Sequence, residues 1–176
     1  MNIPRRVVSF LSSRGRKLAT AESCTAGLIA SLLADVPGSG SCLDIGFIVY
    51  SPTGKTRFLG IRKETMERFG LASEEVAREM AEGTLKLEGC AADIAVSNTG
   101  VADVTPDGGP PPGTQCFAWS YCTGDAEVTT FSETHTFNGS RNDIRHDAAL
   151  YALSRIETYF NLLSGSKTGG PTERSS

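Results

Sequence analysis

What most constrains this chain is the order in which two kinds of pattern follow one another. Residues 44–50 (DIGFIVY) and 93–97 (DIAVS) are short runs rich in β-branched and aromatic side chains, and residues 17–21 form a smaller apolar run. Such runs read as strands. Between residues 21 and 44 lies the segment 25–34, apolar almost all round, as a helix buried on several sides would be. Residues 73–87 set Val76, Met80 and Leu87 on one stripe behind Ser73 as N-cap, with Glu74 and Glu75 at the positive end of the helix. Two strand-like runs then follow directly on each other, 115–121 and 127–137, joined near Thr123, Gly124 and Asp125. Residues 7–13 read as an opening helix, 53–59 as one or two helical turns, and 141–160 as a last long helix. Strands separated by helices pair in parallel through crossovers, whereas strands in succession pair antiparallel. The expectation is one α/β domain with a mixed β-sheet flanked by helices, spanning residues 1–163. A polar, Gly-rich, disordered tail is expected over residues 164–176.

Charge and composition remove several function classes. A net charge of −3 and a pI near 5.4, without a basic cluster, argue against a nucleic-acid partner. No apolar stretch reaches membrane-spanning length, so no membrane partner is expected. The two histidines, His135 and His146, lack ligand-like partners three or four residues away, so neither a metal site nor any other cofactor is expected. Five cysteines, an odd number without a CxxC pair, fit a reducing cytoplasmic setting better than a disulfide framework.

Four clusters carry possible chemistry. Residues 20–27 (TAESCTAG) fall at a strand-to-helix junction, where unpaired backbone N–H groups could meet the oxyanion formed when an amide carbonyl is attacked. Ser23 there is either a nucleophile or simply a helix N-cap. Cys24 beside it is either a rival nucleophile or a small buried residue. Tyr50 and Lys55 frame a second cluster. In a chain poor in histidine, a lysine with its pKa lowered to about 7–8 could serve serine as base, and a solvated surface lysine is the alternative. Asn98, Thr99 and Gly100 end a strand and open a glycine loop, a place where ligand sites gather, although a turn-forming Asn with a satisfied threonine explains them too. At helical spacing Arg141 and Arg145 share a meridian with Ile144, Ala148 and Ala152. They suit a phosphate, or equally pairing with acidic side chains.

Together these segments resemble one family. TAESCTAGLIASLLADVPGSG is similar to the opening motif of the CinA C-terminal family. GFIVYSPTGKTRFLGI, SEEVAREMAEG, residues 98–119 and FNGSRNDIRHDAALYAL follow in the family's order, so the likeness covers roughly residues 19–153. The resemblance implies a three-layer α/β/α fold and metal-independent deamidation of nicotinamide mononucleotide to nicotinate mononucleotide and ammonia. It implies Ser23 as nucleophile, Lys55 as general base, and Tyr50 orienting the lysine or stacking on the pyridine ring. Backbone N–H groups near Thr25 would hold the oxyanion, Thr99 and Gly100 would lie by the substrate, and Arg141 and Arg145 would take its phosphate. A homo-oligomer, a dimer or larger, is also implied.

The pattern is broken in three places near this site. Asp103 stands where the family motif has a glycine, and Pro110, Pro111 and Pro112 precede Gly113. Ala26 also replaces a family glycine. A negative charge at 103 would repel a phosphate unless it points away, which keeps two alternatives open: a catalytically silent relative that binds a nucleotide or partner, and an amidase for another carboxamide.

Overall fold

Five strands form one sheet in the order β2-β1-β3-β4-β5, in a computed structural model that describes residues 2–105, 108–124 and 127–166. The strands are β1 (Leu18–Glu22), β2 (Leu43–Ile48), β3 (Ile94–Gly100), β4 (Thr114–Gly124) and β5 (Glu127–Thr136). β1 pairs in parallel with β2 and β3, while β3–β4 and β4–β5 are antiparallel. The sheet is mixed, as the element order required. The helices are α1 (Ile3–Ser13), α2 (Leu28–Ala34), α3 (Pro52–Leu59), α4 (Lys63–Phe69), α5 (Glu74–Leu85), α6 (Arg141–Ser154) and α7 (Ile156–Ser166).

The two faces of the sheet are built from side chains of different size, and this sorts the helices. Leu18, Ile94, Val96, Phe117, Trp119 and Tyr121 point to one face and pack against α1, α2, α6 and α7. Their neighbours along the strands, Ala95, Cys116 and Ala118, point to the other and meet Ala77 and Ala81 of α5. Small residues on both sides let α5 sit close enough for Ser97 Oγ to donate to the Ala77 carbonyl at 2.6 Å. The result is three layers, with β1 buried along its whole length.

Topology fixes where a site can form. From β1 the chain crosses through α2 on the large-residue face to β2. It then returns through α3, α4 and α5 on the opposite face to β3, on the other side of β1. The two crossovers leave the carboxyl ends of the adjacent strands β1 and β2 for opposite faces, opening the crevice in which open α/β sheets bind ligands.

The structure differs from the sequence expectations in several elements. The helix expected over 25–34 starts only at Leu28, because residues 23–27 make a turn in which Ala26 (φ 49°) and Gly27 (φ 95°) are left-handed. The helix α4 was not anticipated; it is short, and its one buried residue is Thr65. The long helix expected over 141–160 is broken at Arg155. No glycine or proline lies at that break. Instead the Trp119 indole N–H donates to the Ala152 carbonyl at 2.8 Å, taking the acceptor that a continuing helix would offer to the Ile156 amide. Residues 164–166, expected in the tail, belong to α7; the rest of that tail and Asp125 of the expected hairpin turn lie outside the described residues.

Candidate functional site

Ser23 follows β1 directly, and its amide still donates to the Asn98 carbonyl of β3 at 2.9 Å, extending the parallel ladder by one bond. The chain then turns. Ala26 N–H returns to Ser23 O, and Leu28 N–H to Thr25 O. Glu22 makes the turn possible: fully buried at the end of β1, its carboxyl oxygens accept from the amides of Gly27 (2.8 Å), Ile29 (3.1 Å) and Ala30 (3.0 Å). The amides at the start of α2 are thereby taken by the protein's own side chain. The expected anion site at this helix end is corrected on that ground.

A second set of buried amides holds the turn from the β3–β4 side. Asn98 Oδ1 accepts from Thr25 N–H at 3.0 Å, and Asn98 Nδ2 donates to Gln115 Oε1 at 3.0 Å. Gln115 Nε2 in turn donates to Cys24 Sγ (3.4 Å) and to the Val101 carbonyl (3.1 Å). The Thr25 N–H expected to meet an oxyanion is therefore already engaged. Among the described residues, Cys24 N–H is the amide of this turn that donates to no protein acceptor. Glu22 and Gln115 were not singled out from the sequence. A carboxyl group ending a buried strand was the one available signal for the first, and Gln115 had none, since its partners lie 14 to 91 residues away.

Lys55 reaches Ser23 from the other crossover. Ser51 caps α3 by accepting from Gly54 N–H, and Pro52 sits in its first turn, so the helix axis and the Lys55 direction are set locally. Lys55 is 1% exposed and its Nζ lies 2.8 Å from Ser23 Oγ. The same nitrogen donates to the carbonyls of Val49 (2.8 Å) and Tyr50 (3.3 Å). Among the described residues it has no acidic partner within ion-pairing distance. Burial without a counter-charge disfavours the ammonium form, and the pKa falls from 10.5 to about 8. A neutral amine has two N–H groups and one lone pair. As an ammonium the Nζ donates to all three oxygens; once neutral, it could keep both carbonyls and turn its lone pair to the serine hydroxyl.

The remaining expected residues are distributed around this pair. The Tyr50 carbonyl accepts from Lys55 Nζ, while the exposed phenol oxygen of the same residue accepts from Arg141 Nη2 at 2.9 Å. Arg141 Nη1 donates to the Asp103 carboxylate, so the acidic residue that breaks the family pattern sits directly on this arginine. Arg145 is half-buried and donates to the carbonyls of Cys24 (2.9 Å) and Thr25 (3.1 Å), bracing the turn. The Thr99 hydroxyl is engaged elsewhere, donating to the Leu71 carbonyl at 2.7 Å. Gly100 ends β3 so close to β4 that an added Cβ would lie 2.5 Å from the Thr114 carbonyl oxygen. Among the described residues no group of three His, Cys, Asp or Glu side chains gathers in a way that could hold a metal, and no helix is long and apolar enough to cross a membrane.

Fold and site together define a mixed-sheet α/β/α domain with a serine hydroxyl and a buried lysine amine in contact at the switch point. The chain belongs to the CinA C-terminal domain family, whose profile matches residues 1–160. It is 37% identical over 163 residues to the nicotinamide-nucleotide amidohydrolase PncC of Escherichia coli K12, covering 91% of this chain and 94% of that protein. It is 44% identical to a CinA-like protein of Chlorobium phaeobacteroides over 85% of this chain, but spans only 36% of that relative's length. The solved structure of a competence or damage-inducible protein from Enterobacter asburiae matches with a TM-score of 0.78 at 32% identity, covering 93% of this chain and 95% of that one.

Proposed function

We propose that this protein hydrolyses the carboxamide of nicotinamide mononucleotide, giving nicotinate mononucleotide and ammonia, with Ser23 as nucleophile and Lys55 as base. The observation that carries the reading is the 2.8 Å contact between Lys55 Nζ and Ser23 Oγ, made by an amine whose pKa lies near 8. The likeness to the PncC amidohydrolase over nearly the full length of both chains supports the substrate. Neutral Lys55 takes the Ser23 proton as Oγ attacks the amide carbon. The oxyanion that forms lies beside the Cys24 amide. The lysine ammonium then gives its proton to the departing nitrogen, ammonia leaves, and an ester to Ser23 remains. Water, deprotonated by the same amine, attacks that ester and releases the acid. Cys24 is not the nucleophile in this reading, because its sulfur is turned to Gln115 and packed with Ala102 and Ile144. The five free cysteines fit a reducing cytoplasmic setting, and the exposed Ile45 and Ile48 of the edge strand β2 suit self-association.

The test is ammonia release from nicotinamide mononucleotide, followed by a coupled assay. Wild type is expected to turn over, with kcat/KM rising toward a plateau above pH 8 as Lys55 loses its proton. Ser23→Ala is expected to lose on the order of a thousandfold or more, while Cys24→Ala stays within about tenfold. A folded Ser23→Ala variant with wild-type turnover ends this mechanism, and nucleotide binding without any release favours a silent relative.

A further inference from the structure

Two groups at the rim of the site are joined by an ion pair that the reaction above does not use. Arg141 opens α6 and donates to the Asp103 carboxylate and to the Tyr50 phenol. Both ends of this bridge are tied to the reacting pair. Tyr50 receives Lys55 Nζ on its carbonyl, and Ala102, next to Asp103, packs with Cys24 and Ile144. Arg145, the other arginine of this helix end, is occupied by the Cys24 and Thr25 carbonyls. Of these two arginines, Arg141 is thus the one available to an anionic substituent on a substrate whose carboxamide lies at Ser23. It is not presented bare, because Asp103 sets a negative charge on it.

We propose that Asp103 is a specificity-determining residue that lowers the advantage of phosphorylated over phosphate-free carboxamide substrates. The inference rests on the amidase reading and deepens it. A phosphate binds Arg141 only by displacing the carboxylate or by accepting its repulsion, and a neutral ribose hydroxyl meets neither cost. Asp103 and Arg141 side chains are 62% and 47% exposed, so water screens the pair and the carboxylate can be displaced. The effect is therefore one of degree. Phosphorylated substrates remain accepted, with a reduced margin.

The experiment compares kcat/KM for nicotinamide mononucleotide with that for nicotinamide riboside, in wild type and in Asp103→Asn. That variant keeps the shape and removes the charge. The mononucleotide-to-riboside ratio is expected to rise about fivefold in the variant, through KM, and the gain is expected to shrink in about 0.5 M sodium chloride. A ratio that does not change, or two substrates that change alike, overturns the proposal. Calorimetric binding of ribose 5-phosphate to both proteins provides a second arm that needs no turnover. If wild type hydrolyses neither substrate, the amidase reading fails, while tighter ribose 5-phosphate binding by Asp103→Asn still supports the role of Asp103. Equal binding, or none by either protein, overturns that role.

Discussion

The turn that carries Ser23 and the rim that carries Arg141 are neighbours, yet they are held in opposite ways. The turn is dry and over-determined: Glu22, Asn98, Gln115 and Arg145 each contribute hydrogen bonds to residues 23–30, and Glu22, Asn98 and Gln115 are fully buried. The rim is wet, and its Asp103–Arg141–Tyr50 chain consists of exposed groups. A buried hydrogen bond cannot be exchanged for one to water, so losing a partner there leaves an unsatisfied group. An exposed ion pair has that exchange available at all times. In the reaction proposed above, that difference would keep Ser23 and Lys55 fixed while the rim exchanges partners.

Substitutions can break or sharpen this contrast. Lys55 should give the largest response. Its amine is charged in the unfolded chain up to about pH 10.5 but only up to about pH 8 when folded. The cost of burying the cation is therefore fully present below pH 8 and vanishes as pH rises toward 10.5. Relative to Lys55→Met, wild-type stability should climb by about 3 kcal/mol across that interval, measured by urea unfolding at several pH values. Equal slopes in the two proteins would mean that the amine is not desolvated.

Next comes Glu22→Gln, which turns an amide NH₂ toward a backbone N–H that now has an acceptor. About 2 kcal/mol of stability should be lost, and the loss of turnover should exceed what the fraction unfolded explains, since the Ser23 turn loses its anchor. Ala26→Gly should act in the opposite direction. Ala26 holds a left-handed φ of 49° that a glycine adopts freely, so a gain of about 1 kcal/mol in thermal unfolding is expected. Arg141→Ala belongs to the rim and should change stability least, by about 0.5 kcal/mol or less. A larger effect would place the rim with the buried turn and erase the distinction.

Much of this could be read along the chain, and the part that could not has a common cause. Strand runs such as DIGFIVY and the Ser73 cap announced themselves through local spacing, and the order of elements required a mixed sheet. The motif segments offered Ser23, Tyr50 and Lys55 as candidates, and the fold brings Lys55 to Ser23. The helix start at Leu28 escaped, because the turn before it is held by hydrogen bonds to the Glu22 and Asn98 side chains rather than by a local stop signal. The break at Arg155 escaped for the same reason, since it coincides with an indole hydrogen bond from a strand 33 residues earlier.

By itself the sequence determined where the strands and most of the helices lie, the mixed character of the sheet, and which residue types could do chemistry. These follow from periodicity and propensity, which act over a few residues. Only the tertiary structure decided that Lys55 meets the Ser23 hydroxyl rather than water. It also decided that Thr99 faces Leu71, that Arg145 braces the turn, and that Asp103 rests on Arg141. Those outcomes depend on contacts between residues 28 to 121 apart in the chain, set by how the crossovers pack on the two faces of the sheet.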